Sequence, residues 1–256
     1  EADNEERECS EIERILGADS ASGDKDLESQ EHMIGRVYLH VEMARVQRLL
    51  YNRLTAKARS DAEQRKPHNQ RTYTLVVDYG QNMEIPSFKS SQPGVTYYYS
   101  PLSIYNLGVV DTAREFKGEN KDHMFCHVYH EDIGAKGANN VCSLIVKTLS
   151  MMGVLVDGET AEELNIIFDN CSGQNKNNTV LRYLLWLVEL GYFRRVNFIF
   201  LIVGHTKNSA DRLFNALKLD YRKQNVYTMK ELLTCLSRSQ YCRIVEAREE
   251  DFFDWS

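Results

Sequence analysis

The sequence predicts an α/β domain, and three observations predict it. Apolar runs of strand length recur at residues 72–79, 102–110, 123–130, 164–169 and 198–203. Stretches with apolar residues at three- and four-residue steps follow the third, fourth and fifth of these runs. The order is therefore three strands, then helix, strand, helix, strand, helix, which predicts a mixed five-stranded sheet with helices packed on it. A hydrophobic content of 43% supports a sizeable core. No run approaches the roughly 18 consecutive apolar residues of a membrane helix, so no membrane association is expected.

The net charge of −6 conceals an asymmetry. Residues 1–31 carry twelve acids and three bases, whereas residues 32–256 carry 25 acids and 28 bases, a balance of +3. Residues 1–30 read as an acidic leader without ordered structure, save one short helix near 11–16. The mildly basic body is compatible with a polyanionic partner. Six cysteines without a CxxC pair argue against a disulfide scaffold and a self-contained zinc site, and read as reduced thiols in an intracellular protein. The chain opens on Glu1, which reads as a piece of a longer protein.

Residues 27–64 have a helical pattern in which Leu39, Met43, Val46, Leu50 and Leu54 share one face, expected to pack. Arg45, Arg48 and Arg59 project roughly opposite, and 45–66 hold seven bases against two acids. Residues 31–70 are thus a basic helical arm. Three readings fit it: a helix packed on the core, a homodimer coil through this N-terminal helix, or a nucleic-acid arm using Arg45, Arg48 and Arg59. Lys66 and Pro67 break it. The core then spans 71–225, opening with the strand TYTLVVDY, which carries Asp78 near its end. Residues 80–94 form a polar connection, and 95–100 an extended piece before the second strand. After the third strand come a helix over 135–152, the strand 164–169, a helix over 179–190 and a fully buried strand at 198–203. Asn208 and Ser209 can cap a last helix from about 210 to 218. Residues 226–256 form a C-terminal extension: Thr228 to Glu231 fits a capping box, 241–245 a final strand, and DFFDW an exposed end.

Three acids stand at notable places. Asp169 follows the apolar run Ile166-Ile167-Phe168 and opens an amide-rich turn, DNCSGQNKNN. A carboxylate there faces the crevice where open α/β sheets bind ligands, although Asp and Asn also simply start turns. Asp211 lies in the first turn of the last helix, where the dipole alone favours an acid. That does not account for His205, Lys207 and Asn208 just before it.

The order βββαβαβα resembles the ribonuclease-H-like fold of nucleases, integrases and transposases. Its members carry carboxylates on the first strand, at the end of the fourth and on the last helix, positions that match Asp78, Asp169 and Asp211 here. By that likeness the three would converge at one sheet edge, repel one another, and call for Mg²⁺ or Mn²⁺. More closely, DNCSGQNKNN, the Leu/Trp-rich helix after it and FLIVGHTKNSADRLF resemble a transposase-derived domain of uncharacterised eukaryotic proteins, similar in plan to DDE-type transposases. The likeness covers about residues 71–254 and, more weakly, HVEMARVQRLLY; VVDYGQN is a looser match. The third acid is Asp where most such transposases have Glu. Residues 135–152 contain no acid, unlike the first helix of ribonuclease H. Asp78 is followed by Tyr79 and Gly80, unlike the Asp-x-Glu of proofreading exonucleases.

The resemblance implies a two-metal phosphodiester site that cleaves or transfers DNA strands. Asp78, Asp169 and Asp211 are its catalytic and metal-binding residues, with Asn170, Gln174, Lys176, His205, Lys207 and Asn208 in support or on phosphate. The partner is DNA, and the location nuclear. The rival expectation is a domesticated module that keeps the fold and binds nucleic acid or protein without cutting.

Overall fold

The structure, a computed structural model, describes residues 25–114, 123–202 and 208–255. The chain divides into two units, residues 1–45 and 46–256. Helix α1 (Lys25–Glu63) contributes to both. In the first unit Arg45 Nε pairs with Glu42 Oε2 at 3.3 Å, and Tyr38, Leu39 and Met43 are exposed. Most of the acidic leader, with Cys9, lies outside the described residues.

The second unit is built on β1 (Thr72–Tyr79), β2 (Met83–Ile85), β3 (Leu102–Asp111), β4 (Met124–His130), β5 (Ala161–Phe168), β6 (Phe193–Phe200) and β7 (Cys242–Glu246). Its helices are α2 (Ala138–Met151), α3 (Asn178–Glu189), α4 (Ser209–Tyr221) and α5 (Met229–Leu236). The strands form one mixed sheet in the order β6-β5-β1-β3-β4-β7, with β2 added on β3. Strand β1 runs antiparallel to β3 and parallel to β5; β6 and β7 run parallel to β5 and β4. The sheet thus has seven strands rather than five. Residues 83–85 escape the polar connection by pairing with the start of β3, and β7 extends the far edge.

Alternation along the strands decides both faces. Tyr73, Leu75 and Val77 of β1 join Leu164, Ile166 and Phe168 of β5 in one core beneath α2 and α3. Val76 and Ile167 face the other way, into a second core with Ala210, Leu213 and Leu217 of α4 and Leu232 and Leu236 of α5. On this second face the strand starts are polar: Thr72, Thr74, Glu163, Asn165 and Asn197 form the floor under α1. Lys57 Nζ donates to Glu163 Oε2, Asn197 Nδ2 donates to Glu163 Oε1 (2.7 Å), and the Thr72 N–H donates to Asp61 (3.0 Å).

That floor explains a correction. In the second unit the stripe expected to pack turns mostly outward: Val46 and Leu50 are 60% and 41% exposed, and Leu54 is half-buried; Leu39 and Met43, in the first unit, are exposed as well. In the second unit the helix instead turns Gln47, Thr55, Ala58 and Asp61 inward, because polar residues at the strand starts demand polar partners. Three smaller expectations also change. The segment near residue 95 is a 3-10 helix, Gly94–Tyr98, with exposed tyrosines rather than extended chain. The last core strand is Phe193–Phe200, and as a sheet edge it is half open to solvent rather than fully buried. The DFFDW end is not simply exposed. Trp255 packs on Tyr183 and Trp186, its N–H and Nε1 donate to Asn139 and Ser143, and Phe252 packs against Tyr129. Cys126, Cys142, Cys171, Cys235 and Cys242 are free thiols. No described helix is long and apolar enough to cross a membrane.

Candidate active site

The site begins with strand register. Val77 of β1 pairs with Phe168 of β5 in the parallel ladder, so Asp78 and Asp169 follow side by side at the carboxyl ends of neighbouring strands. Adjacent strands lie about 4.8 Å apart, and alternation turns both carboxylates to the face that α4 covers.

The turn after Asp169 explains its amides. Asp169 Oδ1 accepts the Asn170 N–H at 2.7 Å. Asn175, 3% exposed, donates through Nδ2 to the Asp169 carbonyl (3.2 Å). Asn177 caps α3 by accepting the Val180 N–H (3.0 Å) and donates to the Ser172 carbonyl. Gln174 is half-buried in this turn, and the Lys176 ammonium stands 5.8 Å from the Phe200 ring centroid, over β6.

Helix α4 brings the third acid. Asn208 caps it: Oδ1 accepts the N–H groups of Ala210 (2.7 Å) and Asp211 (3.2 Å), and Asp211 Oδ2 accepts the Asn208 N–H (3.0 Å). The same Asn208 donates through Nδ2 to Asp78 Oδ2 at 3.1 Å. Close approach of α4 needs bare backbone below. Gly108, paired with Asp78, would carry a Cβ 2.7 Å from the Phe214 ring, and the Cβ of a residue at Gly80 would also strike Phe214. Both glycines therefore let Phe214, three residues after Asp211, lie on the sheet.

Burial pushes the Asp78 carboxyl up to about 6; Asp211 and Asp169 push it the same way, and the Asn208 bond holds it down. Two carboxylates far from it in sequence thus act on Asp78. Among the described residues no three His, Cys, Asp or Glu side chains form a ready-made metal cluster. His205 and Lys207 lie outside the described residues. Of the arm residues, Arg48 stands over the Tyr51 ring (5.3 Å), and Arg59 Nε donates to the Thr112 carbonyl (3.0 Å), docking α1 to the end of β3. Arg45 belongs to the first unit and pairs with Glu42.

Sequence reasoning missed Asn175 and Lys136. Lys136 Nζ stands 5.0 and 5.4 Å from the ring centroids of Tyr79 and Tyr105 and donates to the Gly80 carbonyl (3.4 Å). Burial lowers its pKa, while the Asp78 charge opposes that shift. A lone lysine in a loop carries no local signal of this.

Fold and site define an α/β domain with a mixed seven-stranded sheet, a long N-terminal helix, and acids at the carboxyl ends of β1 and β5 and in the first turn of α4. The family model described as a domain of unknown function, DUF7869, matches residues 108–256, more than half of the chain, and the protein belongs to that family. The matched span includes Asp169 and Asp211 and starts after Asp78. No curated protein and no solved structure matches the chain.

Proposed function

We propose that this domain is a ribonuclease-H-like, transposase-derived nuclease that cleaves or transfers DNA strands in the nucleus through Asp78, Asp169 and Asp211. The observation that carries the reading is the parallel register that sets Asp78 and Asp169 side by side at the ends of β1 and β5, with Asn208, the cap of the Asp211 helix, bonded to Asp78. Three antiparallel strands continued by two parallel ones support the fold assignment, as do acids at the ends of β1 and β5 and in the first turn of α4.

The donors suit Mg²⁺ or Mn²⁺. Carboxylate oxygens are the ligands of hard cations, and Mg²⁺ is commonly held by one or two carboxylates while keeping waters and substrate phosphates. Asp78 and Asp169 on paired strands would hold it, with Asp211 beside them. When bound, such an ion supplies positive charge for the phosphodiester as negative charge develops. The protein's own part is orientation. Asn208 sets the Asp78 carboxylate, the capping box fixes Asp211, and Asn175 holds the backbone at Asp169.

The second reading is a domesticated module that binds nucleic acid or protein without cutting. The weakly basic body, with 28 bases against 25 acids over residues 32–256, favours it. Thermal melts with and without Mg²⁺ or Mn²⁺, paired with cleavage of labelled DNA, decide between them. The nuclease reading expects metal to raise the Tm, Asp169→Asn to erase that rise, and cleavage to vanish with it. A metal shift of equal size in Asp169→Asn would defeat the site, and a metal shift without cleavage would leave the binding module.

A further inference from the structure

Away from the carboxylates, α1 and α4 enclose a cleft of about 700 Å³ at the end of β3. Its lining includes Arg59, Arg212 and His123, with Glu63, exposed, as the one acid among the lining residues. Two hydroxyls there stand out. Thr55 and Ser209 are each 8% exposed, and neither Oγ1 of Thr55 nor Oγ of Ser209 finds a hydrogen-bond partner among the described residues. Buried hydroxyls ordinarily have partners, and leaving one without any is unfavourable. Two in one cleft, beside two guanidinium groups and the first turn of α4, point to an absent acceptor.

We propose that this cleft is a phosphate site, built from Arg59, Arg212 and the hydroxyls of Thr55 and Ser209, which holds a backbone phosphate of the DNA strand presented to the carboxylates. A phosphate group fits because it offers only acceptors and negative charge. Both hydroxyls can donate to it, guanidinium forks match its oxygens, and the start of α4 favours an anion. Burial lowers the pKa of His123; a backbone hydrogen bond at Arg114 and the Asp111 charge oppose that shift, and the charges of Arg59 and Arg212, which both reach this ring, add to it. The cleft also leads to the site. A neighbouring cleft of about 720 Å³ shares Tyr51, Asn52, Ser209 and Arg212 with it, and is lined further on by Arg48, Asn208 and Asp211. A strand lying along the seam of α1 and α4 would pass from Asp211 to Arg59.

The identity of the ligand's carrier rests on the nuclease reading; the phosphate chemistry stands on the cleft. Titrations with inorganic phosphate and with a short single-stranded DNA oligonucleotide test it in wild type, Arg212→Gln, Thr55→Val/Ser209→Ala and Asp169→Asn. Both ligands are expected to bind wild type and to weaken about tenfold in the first two variants, while Asp169→Asn binds phosphate as wild type does. The double variant has a further readout. Removing hydroxyls that have no partner should leave the ligand-free protein melting no lower than wild type, whereas hydroxyls with a structural role would lower the melt. Unchanged phosphate affinity in the double variant overturns the proposal, as does lost phosphate binding with oligonucleotide binding untouched. Melts that show no metal effect would sink the nuclease reading alone and leave the phosphate site standing.

Discussion

Asn208 donates a hydrogen bond to Asp78 at 3.1 Å across 130 positions of sequence, while its own side-chain oxygen caps α4. One amide therefore ties the end of β1 to the helix that carries Asp211. The two duties separate by substitution. Asn208→Ser keeps a good cap and loses the bond to Asp78, whereas Asn208→Ala loses both. The Ala variant is expected to cost about 1 kcal/mol, and the Ser variant much less. In both, Asp78 should titrate above the wild-type value, because the bond that holds its pKa down is gone. Carboxyl NMR titration with denaturant melts reads both effects.

Asp78 itself should oppose folding at neutral pH. Its pKa rises on folding from 3.8 to about 6, so the folded state holds the proton more tightly. The stability this confers is complete below 3.8 and is lost as pH rises through 6. Asp78→Asn is therefore expected to stabilise the protein at pH 7 without metal, by roughly 1–3 kcal/mol, and to bring no gain near pH 3.5. Denaturant midpoints at the two pH values check this; a loss at pH 7 would mean that the carboxylate is compensated.

His127 titrates in the opposite sense. Burial holds its pKa down to about 3, with Lys147 pushing the same way, and Nε2 lies 2.7 Å from Thr148 Oγ1. A base depressed on folding gives stability that is present above 6.5 and lost as pH falls towards 3, since the unfolded chain takes up the proton first. His127→Gln should flatten the fall in stability between pH 6.5 and 4, with Asp78→Asn changing that window the other way. Melts of the two variants across this range distinguish them.

Gly108→Ala should disturb both the core and the site. Its Cβ would lie 2.7 Å from Phe214 and 2.9 Å from Met124 Sδ, and overpacking of this kind costs about 1–3 kcal/mol. Because Phe214 and Asp211 share α4, the metal-dependent rise in Tm should shrink as well. Adding Phe214→Leu should recover part of the stability, measurable by thermal melts of the single and double variants.

Most strands and helices were legible because alternation and helical spacing are local, as TYTLVVDY shows by becoming β1 from Thr72 to Tyr79. The buried face of α1 was not. It is decided by Thr72, Glu163 and Asn197, which lie on three strands and meet only after folding. The cap at Asn208 could be read from its neighbours, but its bond to Asp78 could not. Arg212, on α4, is one position past Asp211, yet its cleft exists only once α1 has docked. The tail misled for a similar reason: Trp255 is half-buried against Tyr183 and Trp186, residues some seventy positions earlier.

That tail has a practical consequence. The chain has two tryptophans, Trp186 and Trp255, and their ring centroids lie 5.3 Å apart. Trp255 packs against the core that α2 and α3 cover, on the far side of the sheet from the carboxylates, and Trp186, partly exposed on α3, lies beside Tyr183 of the same core. Intrinsic emission is therefore an optical gauge of whether the C-terminus is seated. A cation or nucleotide arriving at Asp78 should leave that signal quiet, and a dye or an engineered indole near Asn208 would be needed to see it.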